Sequence, residues 1–142
     1  MADTIREQIL QEFSNRLQPL TPETISRDLP TLPEGNEIMI VIAEGEEIRH
    51  DESTYQTTRL NLPVVIDAAV KTATPSITIN EILGDIIRAI TNADISFGGL
   101  ANVVRYDGSP PDYRADGSSY SSIQIIFNVD YQFNKGDPYT AG

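Results

Sequence analysis

The sequence predicts an α+β fold: one four-stranded, mostly antiparallel sheet with two helices packed on one face and long inter-strand loops. Three observations lead there. Two segments repeat apolar residues at helical spacing, around 3–18 and 80–92. Four others alternate, or run apolar, as strands do. The order helix, strand, strand, helix, strand, strand then stacks both helices on one layer of strands. At 142 residues the chain fits one domain, 1–142, with a polar C-terminal tail at 134–142.

In "TIREQILQEFSNRL", Ile5, Ile9, Phe13 and Leu17 recur every four residues, and Leu10 widens the stripe. Asp3 or Thr4 is placed to cap the start, and Pro19 to stop the helix. Residues 19–36 hold four prolines and read as an irregular connection. Residues 37–43 read as a strand with both faces apolar, hence central in the sheet. Loop 44–56 follows. Its Glu44, Glu46, Glu47, Asp51 and Glu52 stand against Arg49 alone among basic side chains, which predicts a solvated arm.

Residues 57–70 form a long strand with Leu60, Leu62, Val64, Ile66, Ala68 and Val70 on one face. Pro63 lies on the other face and lacks a donor, so this strand is expected near an edge or at a bulge. Residues 71–79 read as a turn. Asn80 is then a candidate cap for a helix over 80–92, with Ile79, Leu83, Ile86, Ile87 and Ile90 as its apolar stripe. A short strand over 100–106 precedes the Gly-, Pro- and Ser-rich loop 107–121. The closing strand, 122–133, alternates strictly. Ile123, Ile125, Phe127, Val129, Tyr131 and Phe133 face one side; Gln124, Ile126, Asn128, Asp130 and Gln132 face the other.

Ten basic and 21 acidic residues give a net charge of −11, which repels free nucleic acid and anionic membranes. Neither sequence-specific nucleic acid nor a membrane is expected as a partner. The longest apolar run, "IMIVIA", is too short to span a bilayer as a helix, and the opening residues lack a signal-peptide pattern. A soluble, cytoplasm-made chain is expected. With no cysteine, thiol chemistry and thiolate metal sites are excluded.

No enzyme class emerges, and no cofactor is expected. His50 is the single histidine and has no nucleophile context around it. The acids beside it follow neither zinc nor EF-hand spacing. Asp107, Asp112 and Asp116 sit in turn-forming contexts. Gly98-Gly99 precedes a strand rather than a helix, so it is no phosphate cradle. Tyr113 and Arg114 form an aromatic–basic pair in the second loop, suited to a protein contact or to plain solvation.

Three stretches carry a resemblance: the opening helix "TIREQILQEFSNRL", the helix "NEILGDIIRAIT" after an acidic hairpin, and the closing "SIQIIFNVDYQFNKGDPY". In order, length and pattern the chain resembles the tail terminator, or tail completion, proteins of long-tailed bacteriophages, the minor tail protein U type. The likeness spans nearly the whole chain, and no motif fixes a residue role.

The resemblance implies a virion protein of the tail or neck, assembled in the host cytoplasm. Copies would form a ring, commonly of six, on the last tube ring. That ring would meet the tail tube protein below and the head connector above, with DNA passing through an acidic lumen. Interface candidates are then loop 44–56 (Glu44, Glu46, Glu47, Asp51, Glu52), loop 107–121 (Tyr113, Arg114), Ile126 and Asn128 on the closing strand's second face, and Asp137 in the tail. An edge on the closing strand would add strands across subunits. Each loop reads equally well as solvated surface. The alternatives are another head–tail connector or tube-associated protein, or a small non-viral α+β binding module.

Overall fold

The computed structural model describes residues 3–20, 25–27, 39–50, 53–71, 75–109, 111–112 and 120–141. Helix α1, Ile5–Leu17, matches the expected amphipathic opening. Thr4 caps it: its hydroxyl oxygen accepts from the Glu7 N–H at 3.1 Å. Ile5, Ile9, Leu10, Phe13 and Leu17 are all buried, so the four-residue apolar spacing became the packed face.

The strands follow as β1 (Ile25–Ser26), β2 (Met39–Glu44), β3 (Ile48–Arg49), β4 (Thr57–Lys71), β5 (Val103–Gly108), β6 (Pro111–Asp112), β7 (Tyr120–Asn134) and β8 (Asp137–Ala141). They form one sheet in the order β1-β2-β4-β7-β5, with β3 added to β4, and β6 and β8 added to β7. Among the described residues only β1 and β2 pair in parallel.

The sheet therefore holds eight strands among the described residues, where four were expected. The four expected ones are β2, β4, β5 and β7. Three of the four extra strands, β3, β6 and β8, have a geometric cause. β4 and β7 each run 15 residues, roughly 50 Å at the usual strand rise. Their six-residue neighbours β2 and β5 cannot cover that length. Pieces of the expected loops and of segment 134–142 complete the ladder. The polar tail turns back at Gly136, whose φ of 77° suits a residue without a side chain, and returns as β8.

Two further positions differ from expectation. β7 is interior, between β4 and β5, rather than at a sheet margin. β4 is interior as well, although it contains Pro63. The carbonyl of Pro63 accepts from the Gly45 N–H at 2.8 Å, so the missing Pro63 donor faces the same side. That side is where β2 has ended and β3 has not begun. Proline thus occupies the one break in its neighbour's ladder.

Helix α2 runs Pro75–Thr91, five residues longer at its start than the expected 80–92. Proline at the first helical position has φ preset and gives up a donor that would have no helical partner. Asn80 lies inside the helix rather than capping it. Ile79, Ile82, Ile86 and Ile90 are buried, with Leu83 and Ile87 half-buried against them. A 3-10 turn, Phe97–Gly99, follows.

Both helices share one core with one face of the sheet, as expected. It gathers the α1 and α2 residues, Ile40 and Ile42 of β2, alternate residues of β4 from Leu62 to Val70, Val104 of β5, and Ile123 to Tyr131 at every second position of β7. Phe13 stands at its centre, edge-on to Phe97 at 5.1 Å and tilted against Phe127 at 5.7 Å. No helix among the described residues is long and apolar enough to cross a membrane.

Candidate functional site

Strand alternation places a second set of residues on the face away from the helices. β4 contributes Arg59, Asn61, Pro63, Val65, Asp67 and Ala69; β7 contributes Gln124, Ile126, Asn128, Asp130 and Gln132, in register across the pair. Most are half-buried by their neighbours alone. Val65 lies opposite Ile126, and Pro63 opposite Asn128.

One end of this face is a fixed polar network. The Arg59 guanidinium donates to Asp130 from Nε (2.8 Å) and Nη2 (2.6 Å). Asn102 adds a side-chain hydrogen bond to Asp130 Oδ1 at 3.1 Å, and its backbone N–H donates to the Asp130 carbonyl at 2.7 Å. Asp130 is only 6% exposed. The Arg59 bonds outweigh that burial and hold its carboxyl below the usual carboxylate range. Farther along, burial pushes the Asp67 carboxyl upward, partly offset by a hydrogen bond from Gln124.

Between these two acids lies an unusual atom. Asn128 Oδ1 is buried and has no hydrogen-bond partner among the described residues. Its strand neighbours at this register are Pro63, which offers no donor, and Arg105 of β5. Buried acceptors are nearly always satisfied, so an orphan marks a place where a donor is missing. Ile126 and Asn128, both interface candidates, therefore meet on one surface. The sequence pattern shows which side they face but not the orphaned oxygen, nor the grip of Arg59 on Asp130.

The acidic run is organised differently from the expected solvated arm. Arg6 of α1 bonds both Glu44 and Glu47, and the Tyr131 hydroxyl donates to Glu47. Arg27 holds Glu7 and approaches Glu44 at 3.6 Å. Glu46 is exposed. Asp51 and Glu52, like Tyr113 and Arg114, lie outside the described residues. His50 is half-buried, its backbone N–H donating to the Arg59 carbonyl at 2.8 Å. Among the described residues no three His, Asp or Glu side chains gather as metal ligands would. Asp137 opens β8, and its Oδ1 accepts from the Tyr139 N–H at 3.2 Å.

Beside the Arg6–Glu47 pair the surface opens into a cleft of about 470 Å³. Leu60, Tyr131, Phe133 and Pro138 give it an apolar floor, and Arg6, Glu47 and Arg49 stand at its polar side. The cleft brings the acidic run and the C-terminal hairpin together. Nothing in their sequence spacing signals this, because Arg6 and Glu47 are 41 residues apart.

No family model matches the chain, and no curated protein matches it. Among solved structures it is similar to a chain of the virion of the native gene transfer agent particle, at 10% identity and a TM-score of 0.48, with 92% of each chain covered. A second solved chain is similar at 14% identity and a TM-score of 0.48, over 90% of this chain and 96% of that one.

Proposed function

We propose that the chain is a structural protein of a phage-like virion and acts as a tail terminator. Copies close into a ring, six in number by the family resemblance. The ring caps the tail tube, ends its polymerisation and presents a joining surface to the head connector. No catalysis is involved. A virion is also the setting of the gene transfer agent chain.

The observation that carries this reading is the sheet face away from the helices. It combines half-buried apolar side chains (Val65, Ile126), a rigid Arg59–Asp130–Asn102 network and the unsatisfied Asn128 oxygen. A surface already desolvated and already ordered gives up little on association. A donor from a neighbouring subunit would satisfy Asn128, and an apolar group would cover Ile126. Head-to-tail contacts of this kind close into rings when the rotation closes. The net charge of −11 suits a lumen through which DNA slides without adhering.

The test mixes purified chain with tail tubes from a related phage and images them by negative stain. The native chain should cap tube ends with a ring. The Ile126→Lys, Asn128→Lys double variant should keep its circular dichroism and fail to cap. Normal capping by that variant would remove the open face as the assembly surface.

A further inference from the structure

The cleft beside α1 has a surplus that the fold does not use. Arg6 is occupied by Glu44 and Glu47, and Tyr131 by Glu47. Arg49 is exposed at the same cleft, and its side chain has no ion-pair or hydrogen-bond partner among the described residues. The half-buried side chains of Leu60, Phe133 and Pro138 line the same cleft. Such a guanidinium beside an apolar lining fits a segment carrying a carboxylate next to an aliphatic side chain.

The chain itself displays such a segment. After β2, Glu47 and Arg49 line the cleft, and Glu46 and Ile48 alternate with them along the chain. Glu46 is exposed and has no side-chain partner among the described residues, and Ile48 is 57% exposed, high for a large aliphatic side chain. Carboxylate and aliphatic group stand two residues apart, the spacing of neighbours on one side of a strand.

We infer that the cleft is a self-association site whose occupant is the Glu46–Ile48 stretch of a second copy. Ile48 of that copy covers Leu60 and Phe133, and its Glu46 pairs with Arg49. The volume accommodates several side chains, and the ion pair sets the register. This inference rests on the reading of the chain as a self-assembling protein and names one contact of that assembly.

Sedimentation velocity of the full-length chain over a concentration series tests it. Glu46→Arg and Arg49→Glu should each weaken self-association about ten-fold or more, while the double variant recovers to within about three-fold, as a coupled pair requires. High salt should weaken the native contact, and the two single reversals should leave the thermal melt of the monomer unchanged, because neither side chain supports the monomer fold. A native chain that stays monomeric throughout, single reversals without effect, or a double variant as weak as the singles would each overturn the assignment. The two proposals fail separately. If the charge cycle fails while Ile126→Lys, Asn128→Lys still blocks tube capping, the cleft assignment falls and the ring reading stands. If the charge cycle holds while that double variant caps normally, the reverse applies.

Discussion

Arg59 on β4 grips Asp130 on β7 through two hydrogen bonds, from a position one step diagonal to the strand register, since Arg59 lies opposite Gln132. Diagonal neighbours are within reach of long side chains, and the planar guanidinium matches both carboxylate oxygens. Asp130 is buried enough that the pair is shielded from water, and Asn102 takes up further acceptor capacity.

Its acid dependence follows in sign. The Arg59 bonds depress the folded-state value of Asp130. The resulting stability is present above the unfolded carboxylate value of about 3.9 and is lost as pH falls through the lower folded value. Asp130→Asn should lower stability by about 1.5–3 kcal/mol at neutral pH, the range for hydrogen bonds to charged groups. The gap between native and variant should narrow in acid. Urea titrations at neutral pH and at about pH 3, below the unfolded value, measure both effects. A gap of equal size at the two pH values would contradict the assignment.

Gly45 is required by Pro63. A Cβ added at Gly45 would stand 2.9 Å from the Pro63 Cβ, and the Gly45 N–H is the donor to the Pro63 carbonyl. Neither side can yield without opening the junction between β2 and β3. Gly45→Ala should therefore destabilise by about 1–3 kcal/mol, as overpacking does. A fall in the urea midpoint with an unchanged slope is the expected readout. An unshifted midpoint would show that the junction is slack.

Helices and long strands were legible because their signals are local. Ile5, Ile9, Phe13 and Leu17 declare one helical face, and Ile123 to Tyr131 declare one sheet face, without reference to anything distant. The start of α2 was not legible. "KTATPS" reads as a turn until Pro75 is recognised as a first helical residue. The short strands were hidden for another reason. β3, β6 and β8 exist because β4 and β7 have ladder left over, a property of partners rather than of their own residues. Charge composition misled at Glu44 and Glu47, which read as solvated although Arg6 fixes both. Alternation did place Ile126 and Asn128 on one face, but only the fold shows that β7 is interior and that the Asn128 oxygen lacks a donor.

Arg16 ties the far ends of the two helices. Its Nη1 donates to the Ile90 carbonyl at 2.9 Å, its Nε pairs with Glu12 at 3.0 Å, and its guanidinium lies 4.2 Å over the Phe97 ring. Phe97 has φ of 51°, a left-handed conformation that a bulky side chain adopts only when its surroundings hold it. Lysine keeps the charge but has neither the fork nor the stacking plane. Arg16→Lys should lower stability by about 1–2 kcal/mol, a value in keeping with a partly desolvated cation–π contact. Faster amide exchange is expected around residues 95–101. Unchanged exchange there would mean that Phe97 is held without Arg16.

Tyr131 supplies an alkaline counterpart to Asp130. Burial, then the hydrogen bond and charge of Glu47, push its phenol well above the ordinary tyrosine value. A raised folded value means that the folded state keeps a proton the unfolded chain releases. Stability is thus complete below the unfolded value of about 10 and declines as pH rises toward the folded one. Tyr55, 80% exposed, and Tyr139, 48% exposed, have no such burial. Tyr131→Phe removes the late-titrating phenol and deprives Glu47 of a donor while Arg6 remains on it. The variant should lose about 1.5 kcal/mol at neutral pH, the low end of the range for a hydrogen bond to a charged group, because the carboxylate stays paired with Arg6. Its melting temperature should then fall less steeply than the native one above about pH 10. Following phenolate absorbance alongside thermal melts tests both. If the last phenol to ionise persists in Tyr131→Phe, the sheltered tyrosine is another one.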